Sequence, residues 1–302
     1  MKSHQYVLGS HSTIASLELG EAKTAAKTVV FVHGWMDNSE SFTGVMKALN
    51  RIAPTLHLVA IDLPGHGLST DKGADNFYPF HDYIDDLHGV LQKFSAKETI
   101  LVGHSLGALI TSCYSAAFPE KVTALVEIEG YGPLSESSEN STKRLRTGVL
   151  SRHRYREKKP KGLSDPEDAV RIRSINTQVA QALIRPMTYR ALEQKNGQWY
   201  WRHDEKLKCD SLYRMSEQQR NDIISNIECP HLIILGESGF ASLKVPYSLK
   251  KGEKDEKRKK DQKGEKRSQP HEKWVSIPGG HHCHLEHPEK VSELIMDLVN
   301  KI

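Results

Sequence analysis

Thr99-Ile100-Leu101-Val102-Gly103-His104-Ser105-Leu106-Gly107-Ala108 is the stretch on which the fold turns. Its first four residues, β-branched or aliphatic throughout, read as a short strand buried on both faces. Residues 105–118 then carry apolar positions at helical spacing. Between strand and helix lies Gly103-His104-Ser105-Leu106-Gly107, a G-x-S-x-G pentapeptide in the one context where that pattern has a mechanism. A strand that turns sharply into a helix forces the serine into a strained backbone conformation, and the flanking glycines remove side chains that would collide with neighbouring backbone. The hydroxyl is thereby presented at the carboxyl end of the strand, with the positive end of the helix dipole behind it.

Outward from this turn the sequence repeats the same alternation. Thr28 to Val32, Leu56 to Ile61 and Ala124 to Ile128 read as further strands, and Ser41 to Asn50 and Tyr83 to Phe94 as the helices between them. The stretches near Tyr6-Val7-Leu8 and Ile14 to Leu19 predict an antiparallel lead-in hairpin. After Gly130-Tyr131-Gly132-Pro133 the sequence becomes basic and helix-prone, with no strand signal until Pro230. Strands return at His231 to Gly236 and Trp274 to Ile277. A closing amphipathic helix, Pro288 to Val299, places Val291, Leu294, Ile295 and Leu298 on one face. The pattern predicts an α/β protein with a mostly parallel, doubly wound sheet and a helical cap inserted after the sixth strand. The expected divisions are 1–131 for the first part of the core, 132–214 for the cap and 215–302 for the second part. Residues 250–267, Lys-rich and without an apolar residue, form a low-complexity insert in that second part.

Charge is distributed unevenly along the 302 residues. The net charge is +4, yet residues 132–214 hold 18 Lys and Arg against 10 Asp and Glu, and residues 250–267 hold 10 against 5. The insert lacks aromatics and is interleaved with acids, so a nucleic-acid partner is not expected. No apolar run approaches the length of a membrane span, and no apolar stretch follows the N-terminal residues as a signal peptide would require. A cytoplasmic location is expected. Cys113, Cys209, Cys229 and Cys283 are scattered without a CxxC pair, which predicts free thiols.

A serine hydroxyl is a poor nucleophile at neutral pH, so a base must take its proton. Pro278-Gly279-Gly280-His281-His282-Cys283-His284-Leu285-Glu286-His287-Pro288, after the last strand, offers four histidines. Chemistry alone does not choose among them. Among His281, His282, Cys283 and His284 neither C-x₂₋₄-C nor H-x₃₋₅-H spacing is present and no second ligand pair stands out, which disfavours zinc, and no metal is expected. The anion that forms on a substrate carbonyl needs two N–H donors. The Leu106 amide, first in the helix after Ser105, is one candidate. The Trp35 amide is the other, in the His33-Gly34-Trp35 loop after the first core strand.

Taken together, His33-Gly34-Trp35-Met36-Asp37-Asn38, Ala60 to Ser69, Gly103 to Gly107 and Pro278 to Pro288 resemble the α/β-hydrolase superfamily and, within it, above all the serine hydrolase-like proteins. The likeness runs through the core from end to end and is much weaker in the cap and the Lys-rich insert. It implies that the catalytic histidine stands three residues before His284-Leu285-Glu286, at His281, and that His66 is a structural residue of its turn. Where many relatives carry Gly-x-x-Asp after the penultimate strand, this chain has Gly236-Glu237-Ser238-Gly239 and no aspartate. The other place the superfamily uses, the strand end before the cap, holds Glu129, as in one subgroup of haloalkane dehalogenases. Glu129 is therefore the expected acid and Glu237 the alternative.

These residues predict a serine hydrolase that cleaves a carboxylic ester or related acyl compound through an acyl-enzyme on Ser105, with a small-molecule acyl substrate and no cofactor. Dehalogenases and epoxide hydrolases of the same fold need an aspartate nucleophile, which Ser105 is not. The reading from a different class is a catalytically inactive ligand-binding protein. His33, His104, Trp199 and Trp201 are expected to line the substrate pocket, the two tryptophans alternatively packing a cap core.

Overall fold

The computed structural model describes residues 1–9, 12–94, 97–156, 158–244 and 272–302. The insert expected at 250–267 lies outside the described residues. An eight-stranded sheet runs in the order β1-β2-β4-β3-β5-β6-β9-β10. Its strands are β1 (Lys2–Gly9), β2 (Ser12–Leu19), β3 (Lys27–Val32), β4 (His57–Ile61), β5 (Glu98–His104), β6 (Ala124–Ile128), β9 (His231–Gly236) and β10 (Glu272–Ile277). The first two strands pair antiparallel and β2 joins β4 antiparallel, whereas β4, β3, β5, β6, β9 and β10 are all parallel. The expected fold, including the lead-in hairpin, is the observed one.

Why these segments form a two-faced sheet is visible in their alternation. Val29, Phe31, Leu58, Ala60, Ile100 and Val102 point to one face, where α1 (Thr43–Ile52) supplies Val45, Met46 and Leu49. On the same face α8 (Pro288–Val299) supplies Val291, Leu294 and Ile295. Val30, Val32, Val59, Ile61 and Leu101 point to the other face, against Tyr83, Leu87 and Val90 of α2 (Asp82–Leu91) and Ile110 and Tyr114 of α3 (Leu106–Ala117). Each fully buried aliphatic side chain is worth about 1.5–3 kcal/mol of transfer free energy, so both layers are held chiefly by apolar burial.

Between β6 and β9 the chain forms α4 (Ser141–Arg156), α5 (Pro166–Thr177), α6 (Gln181–Arg190) and α7 (Glu217–Ser225). The expectation that no strand occurs here was wrong. β7 (Leu192–Lys195) and β8 (Gln198–Trp201) form an antiparallel hairpin. Asn196 and Gly197 turn it at φ 51° and 77°, the positive-φ pair that a two-residue primed turn demands. That Asn-Gly signal stood in the sequence.

The two ends of this segment lie side by side, with the Glu136 amide donating to the Met215 carbonyl at 3.0 Å. Three polar contacts fasten its middle to the core. Arg190 meets the buried Asp62 at 2.8 Å, Arg173 meets the buried Asp37 at 2.5 Å, and Asn38 Nδ2 donates to the Met187 carbonyl at 2.8 Å. All four cysteines are free.

Candidate active site

Four adjacent parallel strands, β5, β6, β9 and β10, deliver their carboxyl ends to one edge of the sheet. Ser105 follows β5 directly with φ 50° and ψ −117°, a strained conformation for a residue with a side chain. Its amide donates to the Ile128 carbonyl at the end of β6 at 2.9 Å, and its own carbonyl accepts from the Leu109 amide at 3.2 Å. The two motif glycines are sterically required. A Cβ on Gly103 would lie 2.5 Å from Ala108 backbone, and one on Gly107 would lie 1.9 Å from the Val32 carbonyl oxygen. Among the described residues the Ser105 hydroxyl makes no hydrogen bond, so it is free to meet a ligand.

Glu129 follows β6, also at positive φ, 50°. It is buried, and its carboxylate accepts from the Gly236 amide at 2.7 Å and the Phe240 amide at 3.0 Å. The third contact is His281 Nδ1 at 3.2 Å from Oε2. Burial alone would push the Glu129 carboxyl up, but these hydrogen bonds outweigh it and hold the group below the ordinary carboxylate range. Gly239 lies so close that a Cβ there would meet Glu129 Oε1 at 2.1 Å. Glu237, the alternative acid, is exposed, its backbone spent on the Ile277 carbonyl and the Lys244 ammonium.

His281 sits in a loop shaped by Gly279 at φ 104° and by Glu286, whose carboxylate accepts from the Gly280 amide at 2.9 Å. Its ring is partly exposed and lies against Phe240, with centroids 4.0 Å apart. Burial disfavours the imidazolium and lowers the His281 pKa, with the Glu129 bond opposing that shift and the neighbouring His104 adding to it. With Nδ1 donating to Glu129, Nε2 of the neutral ring is the free base.

The loop after β3 is set by buried histidines. His33 Nδ1 donates to the Gly34 carbonyl at 2.7 Å and its Nε2 accepts from the Leu63 amide at 2.9 Å. His66 Nδ1 donates to the Pro64 carbonyl at 3.1 Å and its Nε2 accepts from the Met36 amide at 3.2 Å. Both rings thus work as neutral two-ended struts, and burial lowers both pKa values. Among the described residues neither the Trp35 amide nor the Leu106 amide donates to a protein acceptor. Both remain available.

A cavity of about 490 Å³ reaches Ser105, lined by Trp35, Leu106, Leu109, Leu134, Leu207 and Met215 among others, with Arg144, Lys208 and Arg214 adding positive charge. A larger hollow of about 670 Å³ around Asp71, Asp75 and Asp86 does not include Ser105. Four residues expected in the pocket are not in its wall. His33 and His104 are fully buried beneath it, bonded to backbone. Trp199 and Trp201 belong to β8, where the hairpin turns their rings toward Tyr189 and His203. The segment 207–215 and Leu134 take that place, and their irregular sequence gave no periodic signal.

The sequence profile described as alpha/beta hydrolase fold matches residues 27–288. A serine hydrolase-like protein of Danio rerio is 27% identical over 283 residues, covering 90% of this chain and 81% of its own. A 2-(acetamidomethylene)succinate hydrolase of Mesorhizobium japonicum is 36% identical over 107 residues, 35% of this chain and 37% of its own. Among solved structures, a hypothetical protein of Pseudomonas aeruginosa PAO1 superposes with a TM-score of 0.83 at 25% identity, covering 98% of each chain. The thioesterase domain from the curacin biosynthetic pathway superposes at 0.79 with 20% identity, covering 98% of this chain and 99% of its own, a likeness of fold. Together these findings support a hydrolase. Among the described residues no helix is long and apolar enough to cross a membrane.

Proposed function

Since the chain belongs to the alpha/beta hydrolase fold family, we propose that it is a serine hydrolase of carboxylic esters or related acyl compounds, with Ser105, His281 and Glu129 as its catalytic residues. The observation that carries this reading is the pairing of a strained, unbonded Ser105 with a buried Glu129 that holds His281 Nδ1, all on one sheet edge. In the first half-reaction Ser105 Oγ attacks the acyl carbon while His281 Nε2 takes the hydroxyl proton. The carbonyl oxygen gains the negative charge and accepts from the Trp35 and Leu106 amides. Collapse of this intermediate breaks the bond to the alcohol, which leaves with the proton held by His281. Water then repeats the sequence on the acyl-serine and releases the acid.

Glu129 orients the ring and stabilises the imidazolium without itself taking the proton. The apolar side chains of the 490 Å³ cavity suit an acyl chain, and its lining fits a small-molecule substrate. The division into a core of 1–131 and 215–302 and a cap of 132–214 belongs to the same reading, since Leu134, Arg144, Leu207 to Ser211, Tyr213 and Arg214 contribute to that cavity.

Fluorophosphonate labelling tests the assignment. One label is expected, on Ser105, and Ser105→Ala is expected to lose both the label and about 10⁶-fold in kcat on a panel of short and long acyl esters. Undiminished esterase activity in the folded Ser105→Ala protein would overturn the nucleophile. A wild-type chain that takes no label and cleaves no ester would favour the ligand-binding reading.

A further inference from the structure

Behind the Glu129–His281 pair lies a second cluster that the proposed reaction does not use. Asp37 Oδ2 stands 3.5 Å from His104 Nδ1 and 3.4 Å from His282 Nε2. All three side chains are buried, and their ligand atoms lie within 4.8 Å of one another. Asp37 Oδ2 and His104 Nδ1 have no hydrogen-bond partner.

The protons explain why this is an unusual arrangement. His104 Nε2 lies 2.9 Å from the His281 carbonyl oxygen, which can only accept, so Nε2 carries the proton. In the neutral ring Nδ1 is then a bare lone pair aimed at a carboxylate lone pair. Such a contact is repulsive unless a positive species lies between the two atoms. A proton would draw them into a charge-assisted hydrogen bond of about 2.7–2.9 Å. The observed 3.4 and 3.5 Å are longer than that. The two Asp37 distances are close to the edge of a tetrahedron, about 3.3–3.4 Å, around an ion with bonds of about 2.0–2.1 Å to nitrogen and oxygen, and the two imidazole nitrogens lie within 4.8 Å of each other.

We propose that Asp37, His104 and His282 form a binding site for a divalent transition-metal ion of the zinc class. The other Asp37 oxygen is held by Arg173 at 2.5 Å, which orients the carboxylate and leaves Oδ2 toward the ion. The His281 carbonyl does the same for His104, a backbone acceptor fixing the tautomer of a metal-binding imidazole. Gly34 adjoins the cluster, and a Cβ there would lie 2.9 Å from His104 Nδ1 and 3.1 Å from Asp37 Oδ2, so a larger residue would fill the space. No local spacing motif announces the site because each ligand comes from a different strand end, after β3, in β5 and after β10. An ion there ties together the three loops that carry Trp35, Ser105 and His281, and its role is structural. It does not depend on Ser105 being a nucleophile.

The test uses the full chain, stripped with chelator and titrated with Zn²⁺ by calorimetry and with Co²⁺ by visible absorption. One equivalent is expected to bind, with the intense absorption of low-symmetry four-coordinate Co²⁺, and the melting midpoint is expected to rise by about 5 °C or more at 100-fold excess over Kd. His282→Ala and Asp37→Asn are each expected to weaken binding at least about 100-fold, whereas His287→Ala leaves it unchanged. Asp37 also anchors Arg173, so an Asp37 variant that fails to fold is covered by X-ray absorption on Zn²⁺-loaded wild type, where two imidazoles and oxygen are expected. Lack of stoichiometric uptake, uptake that survives in folded His282→Ala, or a sulfur-containing shell would each overturn the proposal.

Discussion

Two buried glutamate–histidine pairs sit at the end of β6, two residues apart, and they differ in what surrounds them. Glu127 meets His231 Nε2 at 2.6 Å, with both side chains sealed, and its other oxygen accepts from the Gly132 amide at 3.0 Å. Glu129 meets His281 Nδ1 at 3.2 Å, and there the histidine side chain is 20% exposed, against 1% for His231. The first pair joins strand to strand inside the protein. The second ends in a ring whose far nitrogen is free, on the edge that carries a strained serine. A carboxylate holding an imidazole is therefore no signature of catalysis by itself, and the exposure of the ring beyond it makes the difference.

The sharpest way to break this comparison is to neutralise each glutamate in turn. Glu129→Gln is expected to lower kcat by about 10³–10⁴ with the fold intact, because an amide cannot stabilise the imidazolium as a carboxylate does. Steady-state rates with matched circular dichroism check this, and a near-wild-type rate would move the acid elsewhere, with Glu237→Gln the next variant to assay. Glu127→Gln should do the reverse. It leaves kcat within a few-fold of wild type but costs about 1–3 kcal/mol of stability in denaturant unfolding, as disrupting a sealed hydrogen bond does. Should the rate collapse instead, the two pairs share one function and the distinction fails.

The smallest effect expected is on pH. His281 serves as a base only when neutral, and burial lowers its pKa. The acid limb of kcat/KM should therefore lie below about 6.5, the ordinary imidazole value. Removing the Glu129 charge takes away the influence that favours imidazolium, so in Glu129→Gln the limb should move further down. A limb that moves up in that variant would mean that the group titrating is not His281.

The sequence made some of this legible and not the rest. Ser105 could be read because Gly103 and Gly107 are dictated by backbone clashes, and a steric requirement of that kind leaves a fixed pattern. His281 could not be chosen by chemistry among four histidines, only by resemblance to known proteins. In the fold the four separate, with His282 facing Asp37 and His284 sealed against Phe42 and His104. Glu129 was legible only as a strand-end carboxylate, since the amides of Gly236 and Phe240 that hold it come from more than a hundred residues later. Trp199 and Trp201 could be read either as pocket wall or as packing residues, and the hairpin, visible in the sequence only as Asn196-Gly197, turns them toward Tyr189 and His203. The actual cavity wall, 207–215, has no periodicity to read.

The contacts that fasten the segment between β6 and β9 are unevenly spread along it. α5 and α6 are tied to the core through Arg173, Met187 and Arg190, two of them salt bridges to carboxylates almost without water. α4 buries only Gly148 and Ser151 and leaves Leu145, Val149 and Leu150 exposed. Opening α5 and α6 means exposing the paired charges of Arg173 with Asp37 and Arg190 with Asp62, which is strongly disfavoured. Opening α4 breaks contacts that lie nearer the surface, Arg144 with Glu136, Arg152 over Phe77, and the Asp210 amide donating to Ser151 Oγ. The helix that carries Arg144 into the cavity wall is thus held without the buried carboxylate partners that anchor α5 and α6.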